Sequence, residues 1–421
     1  MPEPALKLSL EQARLAALAA QGLTAAAPPP SPAAVLERHG FARTLGGADV
    51  YLALRARWPQ MVRADLDGAV ERREVQVLPA VRGCMYLVSR RHAALCLRVA
   101  DLLSRGRAEK EQQKAGLSPG ELEAVGRAVL ATLAERGPLT PDALRKALPP
   151  GTLRSLGEAG KKVGLTSALP SALRRLEFDG QVERSLEGGR LDSERYAWRL
   201  AAASPFDGAV LPSEPAALYA ELAELFFGGA GFARLGDFAS WVGISQRDAK
   251  AALERLETLS VAIAGESEPR WALASNRELL ADPPPSAVAF LPFEDSLIAT
   301  QGGPALLVDA AHQGIVGPAW GTSKPTSLGE ARFLMLRPLV AEGKVAGFWE
   351  LDPERAAVCW ASFEPLGGEA RAQVEELGRR TARFLLEELG HGRSFNLDTD
   401  RDLAERSAYL RSLPHGGIGP P

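Results

Sequence analysis

Leu169-Pro-Ser-Ala-Leu-Arg-Arg-Leu-Glu-Phe-Asp-Gly-Gln-Val182, followed past a Gly188-Gly189 tip by Tyr196-Ala-Trp-Arg-Leu200, is the stretch that decides the fold. Leu169, Ala172, Leu173 and Leu176 stand at i, i+3, i+4 and i+7, one face of a helix. Val182 and the run from Tyr196 read as the two arms of a hairpin behind it. The same spacing returns at Ala249, Ala252, Leu253 and Leu256, before Val261-Ala-Ile263 and Trp271-Ala-Leu273. A looser copy runs through Leu66, Ala69 and Val70 into Val75-Gln-Val77, a turn at Arg82-Gly83, and Met85-Tyr-Leu-Val88. Helix followed by a two-stranded wing is the winged helix-turn-helix plan, and three in series suit a molecule that holds nucleic acid.

The implied fold class is α+β. Three tandem winged helix-turn-helix units are expected at residues 1–110, 115–203 and 210–278. A small β-barrel-like domain should follow at 284–366, with a C-terminal helix and tail at 367–421. Helix starts are well marked. Ser9 can cap the first helix, Ser118-Pro-Gly-Glu121 is a capping box with proline at the first helical position, and Ser245 precedes the third candidate recognition helix. Gly228-Gly229 should end the helix that opens at Ser213-Glu-Pro215. Asp282-Pro-Pro-Pro285 marks a boundary, and Val288–Leu291, Phe333–Val340, Lys344–Leu351 and Val358–Phe363 read as strands. Residues 368–390 form one long helix in this reading. Glu109–Lys114 is taken as a solvated linker, and the last thirty or so residues as ordered by docking.

Charge is unevenly placed. The chain carries −3 overall, yet residues 1–200 hold 30 Lys/Arg against 22 Asp/Glu, a net of +8, which leaves −11 for residues 201–421. A basic half joined to an acidic half is the asymmetry expected when one part faces phosphate, although acidic residues added for solubility would look alike. Cys84, Cys96 and Cys359 are scattered and odd in number, so a disulfide framework is not implied and a reducing cytoplasm fits. The five histidines are dispersed and there is no CxxC, so neither metal nor cofactor is expected. No stretch approaches twenty apolar residues, and the chain reads as a monomer without a membrane segment.

A helix or wing that meets DNA needs cations on its outer face, because phosphate neutralisation supplies most non-specific affinity. The first unit offers Arg72 and Arg73 at the helix end, Arg82 at the wing tip, and Arg90 and Arg91 beyond the wing. The second offers Lys161, Lys162, Arg174 and Arg175, and the third Arg247 and Lys250. Any one of these also suits an ordinary solvated face. The first cluster, gathered by its hairpin, favours contact with double-stranded DNA.

At these residues the chain resembles a known family. Leu8-Ser-Leu-Glu-Gln-Ala-Arg-Leu-Ala-Ala-Leu-Ala-Ala-Gln-Gly22 resembles the opening helix of the AlkZ-type winged-helix DNA glycosylases. Leu45-Gly-Gly-Ala-Asp-Val-Tyr-Leu-Ala-Leu-Arg-Ala-Arg57 is similar to the segment carrying that family's catalytic motif. Ala80-Val-Arg-Gly-Cys-Met-Tyr-Leu-Val88 resembles its Met-Arg-Gly-Thr-Leu-His-Leu-Val wing, and Leu336-Arg-Pro-Leu-Val-Ala-Glu-Gly-Lys-Val-Ala-Gly347 its C-terminal β-domain. The resemblance implies tandem winged helices around bound DNA, and hydrolysis of the N-glycosidic bond of alkylated or crosslinked purines. The family's motif is Gln-aliphatic-Gln or, in one branch, Gln-aliphatic-Asp. Two polar side chains so spaced can together position a water at the anomeric carbon, and a carboxylate can steady the cationic sugar.

This chain departs from that motif. Alignment on Tyr51–Arg57 puts Gly47-Ala48-Asp49 at the motif, which loses the first glutamine and leaves Asp49 as the one catalytic candidate. Alignment on Leu45–Gly47 deletes the motif altogether. Asp49 also fits a plain helix-start or turn residue, and Tyr86 replaces the family's wing histidine. Glu294-Asp295, a paired-carboxylate candidate, is expected to face solvent. Three readings follow: a DNA glycosylase with a reduced motif, a DNA-binding protein with weak or lost catalysis that senses or regulates, or a protein-interaction scaffold. If Asp49 is a motif remnant, glutamine restored at Gly47 should raise excision.

Overall fold

The computed structural model describes residues 6–26, 29–193, 195–317, 324–334 and 336–418. The chain divides into two compact units, one formed by residues 1–66, 192–194 and 214–421, the other by residues 67–191 and 195–213.

In the second of these, the last turn of helix Arg63–Glu71 leads into the hairpin Val75–Pro79 and Met85–Ser89, registered Val75 to Ser89 and Pro79 to Met85. Helix Arg90–Lys114 follows without a break. The expected linker at 109–114 is therefore helical, supported at i, i+4 by Arg105 on Asp101 and Arg107 on Glu111. Helices Pro119–Arg136 and Pro141–Ala147 start where Ser118 and Thr140 accept the Glu121 and Ala143 amides. Helix Leu169–Phe178 then turns Leu169, Ala172, Leu173 and Leu176 onto Val125, Val129 and Leu133. The hairpin Val182–Leu186 and Tyr196–Leu200 closes this core with Trp198, whose backbone exchanges two hydrogen bonds with Leu139.

The other unit opens with strand Leu6–Leu8, which pairs in parallel with Val261–Ile263, a partner no local pattern announces. Ser9 and Gln12 form a capping box on helix Leu10–Ala20. Helix Pro215–Ala230 runs through Gly228-Gly229 and stops at Gly231, because Phe226 and Phe227 just before them are held among Phe238 and Trp241. Helices Leu235–Val242 and Gln246–Leu253 follow, and hairpin strands Thr258–Ile263 and Arg270–Leu273 come next.

Beyond Pro285 lies an antiparallel sheet in the order His415–Ile418, Ala357–Ser362, Lys344–Asp352, Arg337–Ala341, Ala289–Phe290. The expected partly closed barrel is instead an open sheet, since a two-residue strand and the chain's own tail form its edges. Gly347 is required here: a Cβ would lie 2.0 Å from the Ala361 carbonyl oxygen. Helices Gly368–Arg383 and Asp400–Arg411 pack on this sheet. The tail thus has structure of its own, begun by a capping box of Thr399 with Asp402 and ended by the edge strand.

Candidate active site and nucleic-acid interface

The loop before helix Asp49–Arg55 is fastened on both sides. The Gly47 amide donates to the Asp192 carbonyl at 2.6 Å, the Ala48 amide to that of Arg393 at 2.7 Å, and the Asn396 amide to that of Leu45 at 3.1 Å. Gly47 has φ of +75°, and a Cβ there would sit 2.4 Å from the Arg393 oxygen and 2.7 Å from the Phe395 nitrogen. Those are backbone atoms, so they cannot swing aside. A side chain at position 47 therefore needs the backbone of residues 393–395 to shift.

Asp49 is buried, at 8% exposure. Its Oδ1 accepts Arg337 Nη2 at 2.6 Å and Nε at 3.1 Å, while Oδ2 accepts the Phe293 amide at 2.7 Å. The network continues inward. Arg337 Nη1 donates to Glu350 at 2.6 Å, Glu350 accepts Arg406 Nε at 2.5 Å, and Arg406 donates twice to Asp398. Burial pushes the Asp49 carboxyl above the usual aspartate range, with Arg337 pulling against it. Burial also opposes the charge on Arg337, but Asp49 and Glu350 outweigh it and hold the guanidinium protonated. A general base needs a lone pair aimed at water. Both Asp49 oxygens are aimed at protein donors.

Sequence reasoning missed Arg337, Glu350, Asp398 and Arg406. The available signal was a charge inside an apolar strand, Arg337 before Pro338-Leu-Val and Glu350 after Gly347-Phe-Trp. Glu294-Asp295 also departs from expectation. Asp295 is 1% exposed, binds Arg57 at 2.8 and 2.9 Å, and caps helix Ser296–Thr300. Glu294 is half-buried beside Arg43.

The candidate DNA-contacting cations fall into two groups. Arg82, Arg90, Arg91, Lys162 and Arg247 are exposed and, among the described residues, pair with no carboxylate. The others are engaged: Arg72 with Glu74, Arg73 with Glu183, Lys161 with Glu158, Arg174 with Glu177, Arg175 with Asp179 and Lys250 with Glu254. Arg73 and Arg174 are the deepest of these. Arg73 shares Glu183 with Arg199, and Arg174 shares the buried Glu177 with Arg184. The first hairpin also separates its cluster, with Arg90 at the base, bonded through its amide to Glu74, and Arg82 at the far tip. Five strand residues put about 16 Å between base and tip. Among the described residues, no group of three or more His, Cys, Asp or Glu side chains could hold a metal, and no helix is long and apolar enough to cross a membrane.

Residues 11–384 match the family model described as DNA glycosylase AlkZ-like. The fold is similar to that of the Streptomyces sahachiroi DNA glycosylase AlkZ, with a TM-score of 0.64 and 19% sequence identity over 92% of this chain and 98% of that one. No curated protein matches the chain. Since the family match runs from the first helix to the end of the long helix beside the β-sheet, this chain belongs to the AlkZ-like DNA glycosylase family.

Proposed function

We propose that this protein binds double-stranded DNA through tandem winged helices and has weak or lost glycosylase chemistry. The winged-helix reading is supported by three successive runs of helix and hairpin, at 63–89, 169–200 and 246–273. The carrying observation for lost chemistry is Gly47. The backbone of residues 393–395 fills the space where the first motif side chain would begin. Asp49 adds to it, because freeing a buried carboxylate from its guanidinium costs about 3–5 kcal/mol, which a water-activating role would have to overcome. DNA binding is favoured by the unpaired cations at the first hairpin's tip, Arg82, and at the start of the helix that follows it, Arg90 and Arg91.

The deciding experiment measures base release and binding on one duplex carrying a methylated purine. The expected outcome is retained binding with release at the uncatalysed rate. Release well above that rate, lowered about 10²–10⁴-fold by Asp49→Asn, would establish an active glycosylase using Asp49. Loss of all duplex binding would leave the protein-interaction reading.

A further inference from the structure

A groove of about 640 Å³ opens within the unit of residues 67–191 and 195–213. Sites for bound ligands commonly span about 300–1,000 Å³. Its walls are the end of helix Arg90–Lys114, one face of helix Pro119–Arg136, and helix Leu169–Phe178 with the residues just past it. Leu122, Leu130 and Leu176 form an apolar floor around Gly126. That glycine stands in the middle of an 18-residue helix. A Cβ there would meet only Leu176, at 3.7 Å, an ordinary contact. Alanine would therefore fit and would hold the helix better. Glycine instead leaves the floor one methyl deeper, at a cost in stability.

The rim is equally unusual. Glu123 and Arg127 stand at i, i+4, the spacing that favours an ion pair. They make none, and the side chains of Gln112, Gln113 and Gln181 are also without a hydrogen bond among the described residues. Neighbours on the same helices are paired, as Arg107 is with Glu111 and Arg174 with Glu177. Three carboxylates at the rim, Glu109, Glu123 and Asp179, face two guanidiniums, Arg127 and Arg175. The groove is thus net acidic and offers phosphate no cationic cradle. A glutamine amide donates and accepts at once. Three of them suit the alternating N–H and C=O groups of an extended chain, which a helix has already paired within itself.

We propose that this groove takes a short extended segment of a partner protein, with one bulky apolar side chain over Gly126 and a lysine or arginine beside it. The cation pairs with Glu123, and the glutamines hold the segment's backbone. This contact goes beyond DNA binding and does not depend on it.

The probe is a dye-labelled five-residue peptide with phenylalanine between two lysines and a glycine at each end, followed by fluorescence anisotropy with the full chain. Two control peptides carry glutamates in place of the lysines, or glycine in place of the phenylalanine. Wild type should bind the lysine peptide about tenfold tighter than either control, the scale of one anchor in a buried pocket. Gly126→Leu fills the floor and should weaken binding at least about tenfold. Gly126→Ala should weaken it about two- to fourfold while melting no lower than wild type, which separates loss of the groove from loss of the fold. Glu123→Gln should remove most of the preference for lysine over glutamate. Equal binding of the three peptides, binding unchanged in Gly126→Leu, no binding at all, or displacement of the peptide by duplex DNA would each overturn the proposal.

Discussion

At position 39 an imidazole sits at 4% exposure, with Nδ1 2.9 Å from the Ala20 carbonyl oxygen. Gly22 lies against its ring, where a Cβ would meet Nε2 at 2.4 Å. Burial, followed by the nearby Arg57 charge, pushes its pKa down to about 4. The folded state therefore resists a proton that the unfolded chain accepts near pH 6.5, so unfolding takes up protons between those values. The stability His39 contributes should be full above pH 6.5 and be lost progressively towards pH 4, by about 3 kcal/mol at the low end. Denaturant titrations at pH 7 and 4.5 should show that fall in wild type and a smaller one in His39→Asn, and an equal fall in both would refute the assignment. None of this is legible from a lone histidine in a helix. Asp49 is similar. Its place at a helix start is readable, but its partner Arg337 lies 288 positions away, and only the folded chain brings the two together.

Elements were more legible than residues, because their causes are local. The caps expected at Ser9, Ser118 and Ser245 accept the amides three residues on. Where the reading failed, a distant neighbour decided. Gly228-Gly229 continues a helix because aromatic packing holds it, and the tail forms a helix and strand because the sheet offers an open edge. Two glycine turns separate local conformation from long-range contact. Gly83 and Gly47 both have positive φ, but only Gly47 faces backbone atoms at sub-van der Waals distance. Gly83→Ala should cost about 1 kcal/mol, the conformational term alone. Gly47→Ala should cost at least about 3 kcal/mol, since residues 393–395 must move as well. Thermal melts of the two variants measure the difference, and equal shifts would mean that the 45–48 loop and the 393–396 segment are not packed as described.

For the whole molecule, net charge is a poor guide and its placement a better one. At −3 the chain should hardly attract DNA, yet residues 1–200 carry +8. The structure sharpens that count, because several of those cations already hold carboxylates. Arg73 and Arg174 fix the hairpin and helix of their own unit, whereas Arg82, Arg90 and Arg91 carry unpaired charge. Each phosphate neutralised should add about 0.9 to the slope of log affinity against log salt. Replacing Arg82, Arg90 and Arg91 with alanine should therefore flatten that slope by up to about 2.7, with little loss of thermal stability. Replacing Arg73 and Arg174 should do the reverse. The slope should hold while the melting temperature falls, because Glu183 and the buried Glu177 each lose one of two guanidinium partners. A slope that responds to the Arg73 and Arg174 pair but not to the hairpin triplet would place DNA on a different face and remove the first hairpin from recognition.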